Sequence, residues 1–250
     1  MHHQCYSCKM QLRPLFCLCL ILLCGCSSPR QDLGTLLSCF ESEHDLEAQK
    51  KALRDLYGRY HEAAGPGLLR IASRTRNNQT KWLAISALGE MEFQEAGPFL
   101  VGCLRDQDSK VKGTAALALS RIKVPDSVPP LVELLKDESD PEVIRYVASA
   151  LVTQGSPSAI PALKLRVHDG TTNTRLAVIT AIGILGSRQE APYVATFLDD
   201  KDPFVAITAA QWIESWSGQN FTWCGKNPCG FLEHIQMAKK WWKAHAATWK

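Results

Sequence analysis

The chain has 250 residues, of which 28 are lysine or arginine and 25 are aspartate or glutamate, so its formal net charge is +3. This near balance offers no electrostatic footprint for a polyanion and argues against a nucleic-acid partner. The sequence also lacks a glycine-rich phosphate loop, a His-Glu-x-x-His motif and a nucleophile elbow. We therefore expect no enzyme activity, no catalytic residues, no cofactor and no metal site.

The N-terminal segment has the pattern of an export signal. An unbroken apolar run spans Leu15–Leu23 and follows Lys9 and Arg13. The run is too short to cross a bilayer as a helix, which takes roughly 20 residues, but it suits the apolar part of a secretory signal. It ends in Leu23-Cys24-Gly25-Cys26, which resembles the lipobox of bacterial lipoproteins.

The lipobox resemblance implies that residues 1–25 are removed and that Cys26 carries a lipid at the new N-terminus. The protein would then be exported and anchored to a cell-envelope membrane, and Ser27 implies the outer membrane where the host has two. A leader that is cut elsewhere and a short membrane anchor remain alternatives. Without the leader, 26 basic residues face 25 acidic ones, so the charge falls to +1.

The segment after Cys26 is expected to be a tether followed by a cap. Residues 26–40 contain Pro29 and Gly34 and predict a polar tether. Residues 41–65 predict an N-terminal capping helix, because Glu41–Tyr60 carries an apolar stripe on one side. A partner-binding coiled helix is the alternative for this segment.

A repeat of 31 or 32 residues follows. It is marked by five prolines, which suit the first turn of a helix because their missing N–H has no partner there. They are Pro66, Pro98, Pro129, Pro161 and Pro192.

Other columns keep the same register, and they predict a second helix in each copy. An aliphatic column falls two residues after each proline: Leu68, Leu100, Leu131, Leu163 and Val194. A second helix is expected to begin at a capping residue: Asn77, Asp108, Asp140, Thr171 and Asp202. Alanine and leucine columns inside that helix predict close stacking: Ala87, Ala118, Ala150 and Ala181, then Trp212, each followed by Leu or Ile.

This pattern resembles the HEAT-repeat family, most clearly in Asp140-Pro141-Glu142-Val143 and Asp202-Pro203-Phe204-Val205. The resemblance covers residues 66–216 and implies an all-α fold, a right-handed α-solenoid of about five helical hairpins. The family hosts many unrelated roles, so the fold alone does not assign one. Some short HEAT-like proteins are chromophore lyases or lyase-like chaperones.

Exposed positions of the second helices predict a partner-binding face on the inner side of the stack. They are small, neutral and hydrogen-bonding, with one aromatic: Ser86, Thr114, Tyr146, Ser149, Thr180, Thr208 and Gln211. A basic column in the same helices, Lys81, Lys112 and Arg175, is expected to form a polar ladder between stacked units, with a ligand-binding stripe as the alternative.

Residues 217–250 predict a tryptophan-rich C-terminal cap. A closing helix is expected from Phe231 to Trp249, with large rings covering the open end of the stack. Trp212, which stands in the alanine column of the last copy, belongs to the same aromatic cluster. The alternative is an aromatic patch that binds sugars or cations.

Two cysteines bracket a turn in that cap, Cys224 and Cys229. In an exported protein such a pair most simply forms a disulfide. Free thiols, or a metal site with His234 and His245, are the alternatives. Cys103 is expected to be a buried thiol.

The sequence therefore predicts a monomeric, lipid-anchored, non-enzymatic scaffold that binds an unidentified protein or peptide partner at the cell envelope. Carbohydrate or cell-wall binding through the aromatic cap, and a lyase-like chaperone role, are the two alternatives.

Overall fold

The structure, a computed structural model, describes residues 32–166, 171–221, 223–224, 227–228 and 230–249. The predicted leader 1–25, the lipidation site Cys26 and the disulfide residue Cys229 lie outside these residues. The described part is helical, as the repeat predicts. The exception is a two-residue antiparallel pair in the C-terminal region, Trp223–Cys224 with Asn227–Pro228.

The described residues form twelve α-helices. In chain order they are α1 (Leu33–Ser42), α2 (Leu46–Arg74), α3 (Asn78–Glu90), α4 (Gly97–Cys103), α5 (Ser109–Leu119), α6 (Val128–Asp137), α7 (Pro141–Gln154), α8 (Ile160–Arg166), α9 (Thr172–Leu185), α10 (Ala191–Val194), α11 (Pro203–Ser217) and α12 (Phe231–His245). Helices α3, α5, α7, α9 and α11 are the predicted second helices.

The predicted capping residues lie where expected. Each second helix begins directly after one of them, and the side-chain oxygen accepts from backbone N–H groups of the first turn. Asp108, for example, accepts from the Lys110 amide at 2.8 Å and the Val111 amide at 3.2 Å. The same arrangement occurs at Asn77, Asp140, Thr171 and Asp202. These contacts satisfy donors that a helix start otherwise leaves unpaired.

Four of the five prolines also lie where the sequence predicts, in the first turn of a helix: Pro98, Pro129, Pro161 and Pro192. The prediction is wrong for Pro66, which lies inside the 29-residue helix α2. The preceding residues include Ala63 and Ala64, which favour helix, so the chain continues through the proline and gives up one backbone hydrogen bond.

The predicted tether over 26–40 is wrong from Leu33 onward. Asp32 caps α1, whose Leu36 and Phe40 side chains are buried in the core. These two residues stand one repeat before Leu68 and Ala72, in the same columns. The segment therefore folds as the first helix of an additional repeat.

The predicted N-terminal capping helix over 41–65 is also wrong, because residues 41–42 end α1 and the chain from Leu46 is the second helix of that same repeat. Asp45 caps it by accepting from the Ala48 amide at 2.8 Å. Leu56 then occupies the buried column of Leu88 and Leu119, and Ala52 occupies the buried column of Ala84 and Ala115. The stack thus has six repeats, one more than the prolines mark. Helix α2 serves twice, as the second helix of repeat 1 and the first helix of repeat 2.

One continuous core connects the repeats, because each second helix packs on the next. The contacts run α2–α3, α3–α5, α5–α7, α7–α9 and α9–α11, and α12 then packs on α11. The residues of this core include Leu56, Leu88, Leu119, Leu151, Ile182 and Ile213, all buried. A single repeat has no neighbour of this kind, so it leaves an apolar face uncovered.

The basic column forms the expected ladder, and its partners come from the following repeat. Lys81 Nζ lies 2.5 Å from Asp106 Oδ2. Lys112 Nζ lies 2.7 Å from Glu138 Oε2, and Arg175 Nη2 lies 3.0 Å from Asp200 Oδ1. Each pair is mostly shielded from water, so removing one partner leaves a poorly solvated charge.

Glu138 shows how each acid of the ladder also fixes a turn. Its Oε1 accepts from the Ser139 and Asp140 amides at 2.9 and 3.0 Å, while Oε2 meets Lys112. Burial alone would raise the pKa of Glu138, but the hydrogen bonds from Lys112 and the two amides outweigh it. The pKa therefore lies below its ordinary value.

Repeat 1 replaces the charged pair by a buried amide. Gln49 occupies the basic column, and its Nε2 donates to Glu43 O and Thr80 Oγ1, both at 2.9 Å. Its Oε1 accepts from Gln79 Nε2 at 2.9 Å. The amide therefore joins repeat 1 to repeat 2 without burying a charge.

The additional repeat makes a stability prediction. Phe40→Ala is expected to lower the free energy of unfolding by about 3–5 kcal/mol, because the ring is fully buried. Cys39→Ala, at the exposed neighbouring position, is expected to change it by less than about 0.5 kcal/mol. Urea unfolding followed by circular dichroism measures both free energies of unfolding. Equally small changes for the two variants would support a polar tether in place of α1.

Candidate functional site: the face of the second helices

The predicted partner-binding residues lie on successive second helices. Ser86 lies on α3, Thr114 on α5 and Thr180 on α9, while α7 and α11 carry the others: Tyr146, Ser149, Thr208 and Gln211. All seven are exposed or half-buried. We call the side that carries them the second-helix face.

Grooves between neighbouring second helices bring these residues together. Ser149 and Thr180 line a groove of about 310 Å³ between α7 and α9. Thr180 also lines the next groove, of about 300 Å³ between α9 and α11, together with Thr208 and Gln211. Ser86 and Thr114 line the groove between α3 and α5, which leaves no room for a water molecule.

One pair of columns sets how closely these helices approach. A Cβ added at Gly89 of α3 would lie 2.7 Å from the Ala118 Cα of α5, so only glycine fits. The equivalent pair further along is Gly183 of α9 and Trp212 of α11, where an added Cβ would lie 2.0 Å from the indole. Trp212 therefore packs back onto the preceding repeat. The sequence prediction that it helps to cover the open end of the stack is wrong.

The polar groups of the face are not equivalent. The hydroxyl groups of Thr114 and Thr208 donate to backbone carbonyls one turn earlier in their own helices, at 2.7 and 2.8 Å. No side-chain hydrogen bond within the described part of the chain involves the remaining small polar residues, which are therefore open to a ligand: Ser86, Ser149, Thr180 and Gln211.

Tyr146 is engaged locally. The guanidinium carbon of Arg145 lies 4.3 Å above its ring. Arg145 also pairs with Glu142 at 2.6 Å, and this hydrogen bond lowers the pKa of the Glu142 carboxyl. Tyr146 is thus part of a surface cluster on α7.

The C-terminal aromatic residues pack mainly on each other. Trp241 stacks face to face on His245, with ring centroids 4.5 Å apart. Trp249 meets Trp241 and Trp242 edge-on, at 5.7 and 5.6 Å, and its Nε1 donates to Arg188 O at 2.8 Å. The closing helix ends at His245, followed by a 3₁₀ turn. A groove of about 390 Å³ remains beside Trp241 and Lys240.

A buried polar pair ties this cap to the last repeat. Glu214 on α11 accepts from the Phe221 amide at 3.0 Å through Oε1, and its Oε2 lies 3.0 Å from His234 Nε2 on α12. His234 therefore lies against a carboxylate, while His245 is exposed and stacks on Trp241. Among the described residues, no group of three or more metal-ligating side chains comes together.

The cysteines differ in environment. Cys103 is buried, as predicted, and burial raises the pKa of its thiol to about 11, which keeps it protonated and unreactive. Cys39 is exposed. The disulfide between Cys224 and Cys229 stays a prediction. Across the described stretches, no helix is both long and apolar enough to cross a membrane.

Comparison with known proteins agrees with the repeat geometry. A family model of HEAT repeats matches residues 65–151 and again residues 128–214. The chain belongs to the HEAT-repeat family. Repeat 1, with glycine in place of the marker proline, lies outside the matched residues. No curated protein matches the chain.

Two solved structures share the fold of this HEAT-repeat protein. One is the complex of CpcE and CpcF of phycocyanin lyase from Nostoc sp. PCC7120, with 22% identity, a TM-score of 0.54, and coverage of 75% of this chain and 77% of that chain. The other is a designed armadillo repeat protein in complex with the peptide (KR)4, with 19% identity, a TM-score of 0.57, and coverage of 74% and 100%. At these identities the likeness establishes the solenoid fold.

The close approach of α3 and α5 makes a second prediction. Gly89→Ala is expected to destabilise the protein by about 1–3 kcal/mol, because the new methyl group meets the backbone of Ala118. Gly102→Ala is the matched control. Its Cβ would meet nothing within 4 Å, so the added helix propensity is expected to stabilise by about 0.5–1 kcal/mol. Thermal unfolding of both variants would show opposite shifts, and shifts of the same sign would argue against the packing.

Proposed function

We propose that this HEAT-repeat protein is a non-enzymatic scaffold that binds an extended segment of a partner protein along the second-helix face. One observation carries the proposal: consecutive grooves share residues. Thr180 lines both the α7–α9 groove and the α9–α11 groove. A ligand that follows the stack could therefore pass from one groove to the next without leaving the surface.

The chemistry of the face supports a peptide rather than a nucleic acid or a compact small molecule. Ser149, Thr180 and Gln211 offer neutral donors and acceptors, which suit a peptide backbone. The grooves are open to the surface, and apolar residues also line them, such as Val152 and Ile184 in one and Trp212 in the next. Such a surface gains affinity from many modest contacts.

The designed armadillo protein, which has a similar fold, holds a peptide in its structure. This likeness supports an elongated peptide ligand in general and carries no information about its sequence. The likeness to the phycocyanin lyase complex is also one of fold, and it supports no transfer of lyase activity.

The aromatic cap is better suited to closing the stack than to binding a glycan. A sugar-binding platform presents an open ring face, whereas His245 stacks on Trp241 and Trp249 adds its edge to two rings. Arg188 also lies 4.6 Å from the Trp249 ring. These contacts favour the scaffold over carbohydrate binding.

Peptide selection tests the proposed face. Peptides that bind the purified protein are selected from a displayed random library, and the tightest is used as a labelled probe. Ser149→Arg is expected to lower the affinity for this probe by about tenfold or more, about 1.4 kcal/mol, because the long side chain fills the α7–α9 groove.

Ser158→Arg provides the same substitution away from the face. Ser158 is exposed in the 3₁₀ turn before α8. Its substitution by arginine is expected to leave the affinity for the probe unchanged. Failure to select any peptide, or equal affinities for the two variants, would exclude the face as the binding surface.

We further propose that a lipid attached to Cys26 anchors the scaffold to a membrane. The apolar run Leu15–Leu23 and the lipobox-like motif support this placement. Because α1 is capped by Asp32, six residues after Cys26, the connecting chain could reach at most about 20 Å. The folded stack would then lie close to the membrane surface.

Metabolic labelling with a fatty acid in a bacterial host tests the anchor. Cys26→Ser is expected to abolish labelling and release the protein from membranes, since the thiol is the predicted site of lipid attachment. Cys24→Ser, two residues earlier, is expected to retain both. Labelling that persists in Cys26→Ser would show that the lipid is attached elsewhere, and absence of labelling in the unsubstituted protein would show that it carries no lipid anchor.

A further inference from the structure

The groove between α2 and α3 differs from the others on the second-helix face, and of the predicted partner-binding residues only Ser86 lines it. It has a volume of about 390 Å³. One wall comes from Leu53, Arg54 and Tyr57 on α2, and the other from Trp82 and Glu90 on α3, among others. It lies at the start of the stack, between the second helices of repeats 1 and 2.

The repeat columns explain why this groove is open. Tyr57 stands in the column that holds Gly89 in repeat 2 and Gly183 in repeat 5. At Gly89 the missing side chain lets Ala118 approach, and the groove beside it is closed. In repeat 1 a tyrosine ring occupies the same position, opposite Ala87, and the groove beside it is open.

Aromatic and aliphatic groups form the inside of this groove. Tyr57 is 44% exposed although its helix packs in the core, and the Trp82 ring is half-buried. Leu53 and Leu83 complete the apolar lining. The volume matches the lower range of ligand pockets and is large enough for one aromatic or long aliphatic side chain.

Cations dominate the edge of the groove. Lys50 and Arg54 line the α2 wall, and Glu90 is the acid among the lining residues. Lys50 pairs with Glu47 at 2.9 Å. Lys110 of α5 does not line the groove, but its Nζ lies 3.8 Å from the centre of the ring of Trp82, which does. Arg54 and the neighbouring Lys110 therefore leave an excess of positive charge over Glu90.

We infer that the α2–α3 groove is the anchoring site for an acidic peptide segment, which inserts one aromatic or long aliphatic side chain and places carboxylates against Arg54 and Lys110. The inference rests on the proposed function and narrows it, because it names the chemistry of the partner segment. It assigns a charge preference opposite to that of a ligand such as (KR)4. Apolar insertion supplies affinity, and the charges supply selectivity.

Fluorescence anisotropy with three synthetic peptides tests the inference. The probe is a labelled ten-residue peptide of glutamate and serine around one central phenylalanine. A second peptide replaces each glutamate by glutamine, and a third replaces the phenylalanine by glycine. The native protein is expected to bind the first peptide about fivefold or more tightly than either of the others. Absence of binding, or equal affinity for all three, overturns the inference.

Two variants with the same charge reversal localise the site. Arg54→Glu is expected to lower the affinity for the acidic probe about fivefold or more. Arg70 is exposed further along the same helix, and Arg70→Glu is expected to leave this affinity unchanged. Equal affinities for the two variants overturn the site. If library-selected peptides remain sensitive to Ser149→Arg but not to Arg54→Glu, the scaffold function holds and the α2–α3 anchor is wrong.

Discussion

The close approach of consecutive second helices determines most of this structure. Each apolar face is covered only by the next repeat, so the core is one elongated spine. The distance between neighbouring helices depends on a single pair of columns, in which Gly89 meets Ala118 and Gly183 meets Trp212. The groove beside the Gly89–Ala118 pair is closed, whereas the groove beside Tyr57, which stands in the same column as Gly89, is open. Stability and binding surface therefore depend on the same positions.

Polar contacts fix the register of this apolar stack. The ladder pairs Lys81, Lys112 and Arg175 with acids of the following repeat, and each acid also accepts backbone amides of its own turn. A shifted stack would leave these shielded charges without partners, at a considerable energetic cost. In repeat 4 the column holds buried Ile144. The ladder thus fixes the register of neighbouring repeats, while the apolar spine supplies most of the stabilisation.

The sequence was sufficient to predict the repeat, its period and its capping residues, because each depends on local contacts within one copy. The proline marker missed repeat 1, where Gly34 stands in the proline column, although Asp45, Ala52 and Leu56 keep the other columns. The ladder partners were harder to identify: the longer turn of repeat 4 moves the acid from Asp137 to Glu138. Groove widths and the direction of Trp212 depend on contacts between repeats, which no single column reveals.

The central claim is that every repeat depends on its neighbours for its core. The most direct test compares far-ultraviolet circular dichroism and urea unfolding of an isolated repeat, residues 97–127, with those of the chain from residue 32 onward. The account predicts that the isolated repeat is largely unstructured, while the longer chain is helical and unfolds cooperatively. A stably helical isolated repeat with its own unfolding transition would contradict the shared spine.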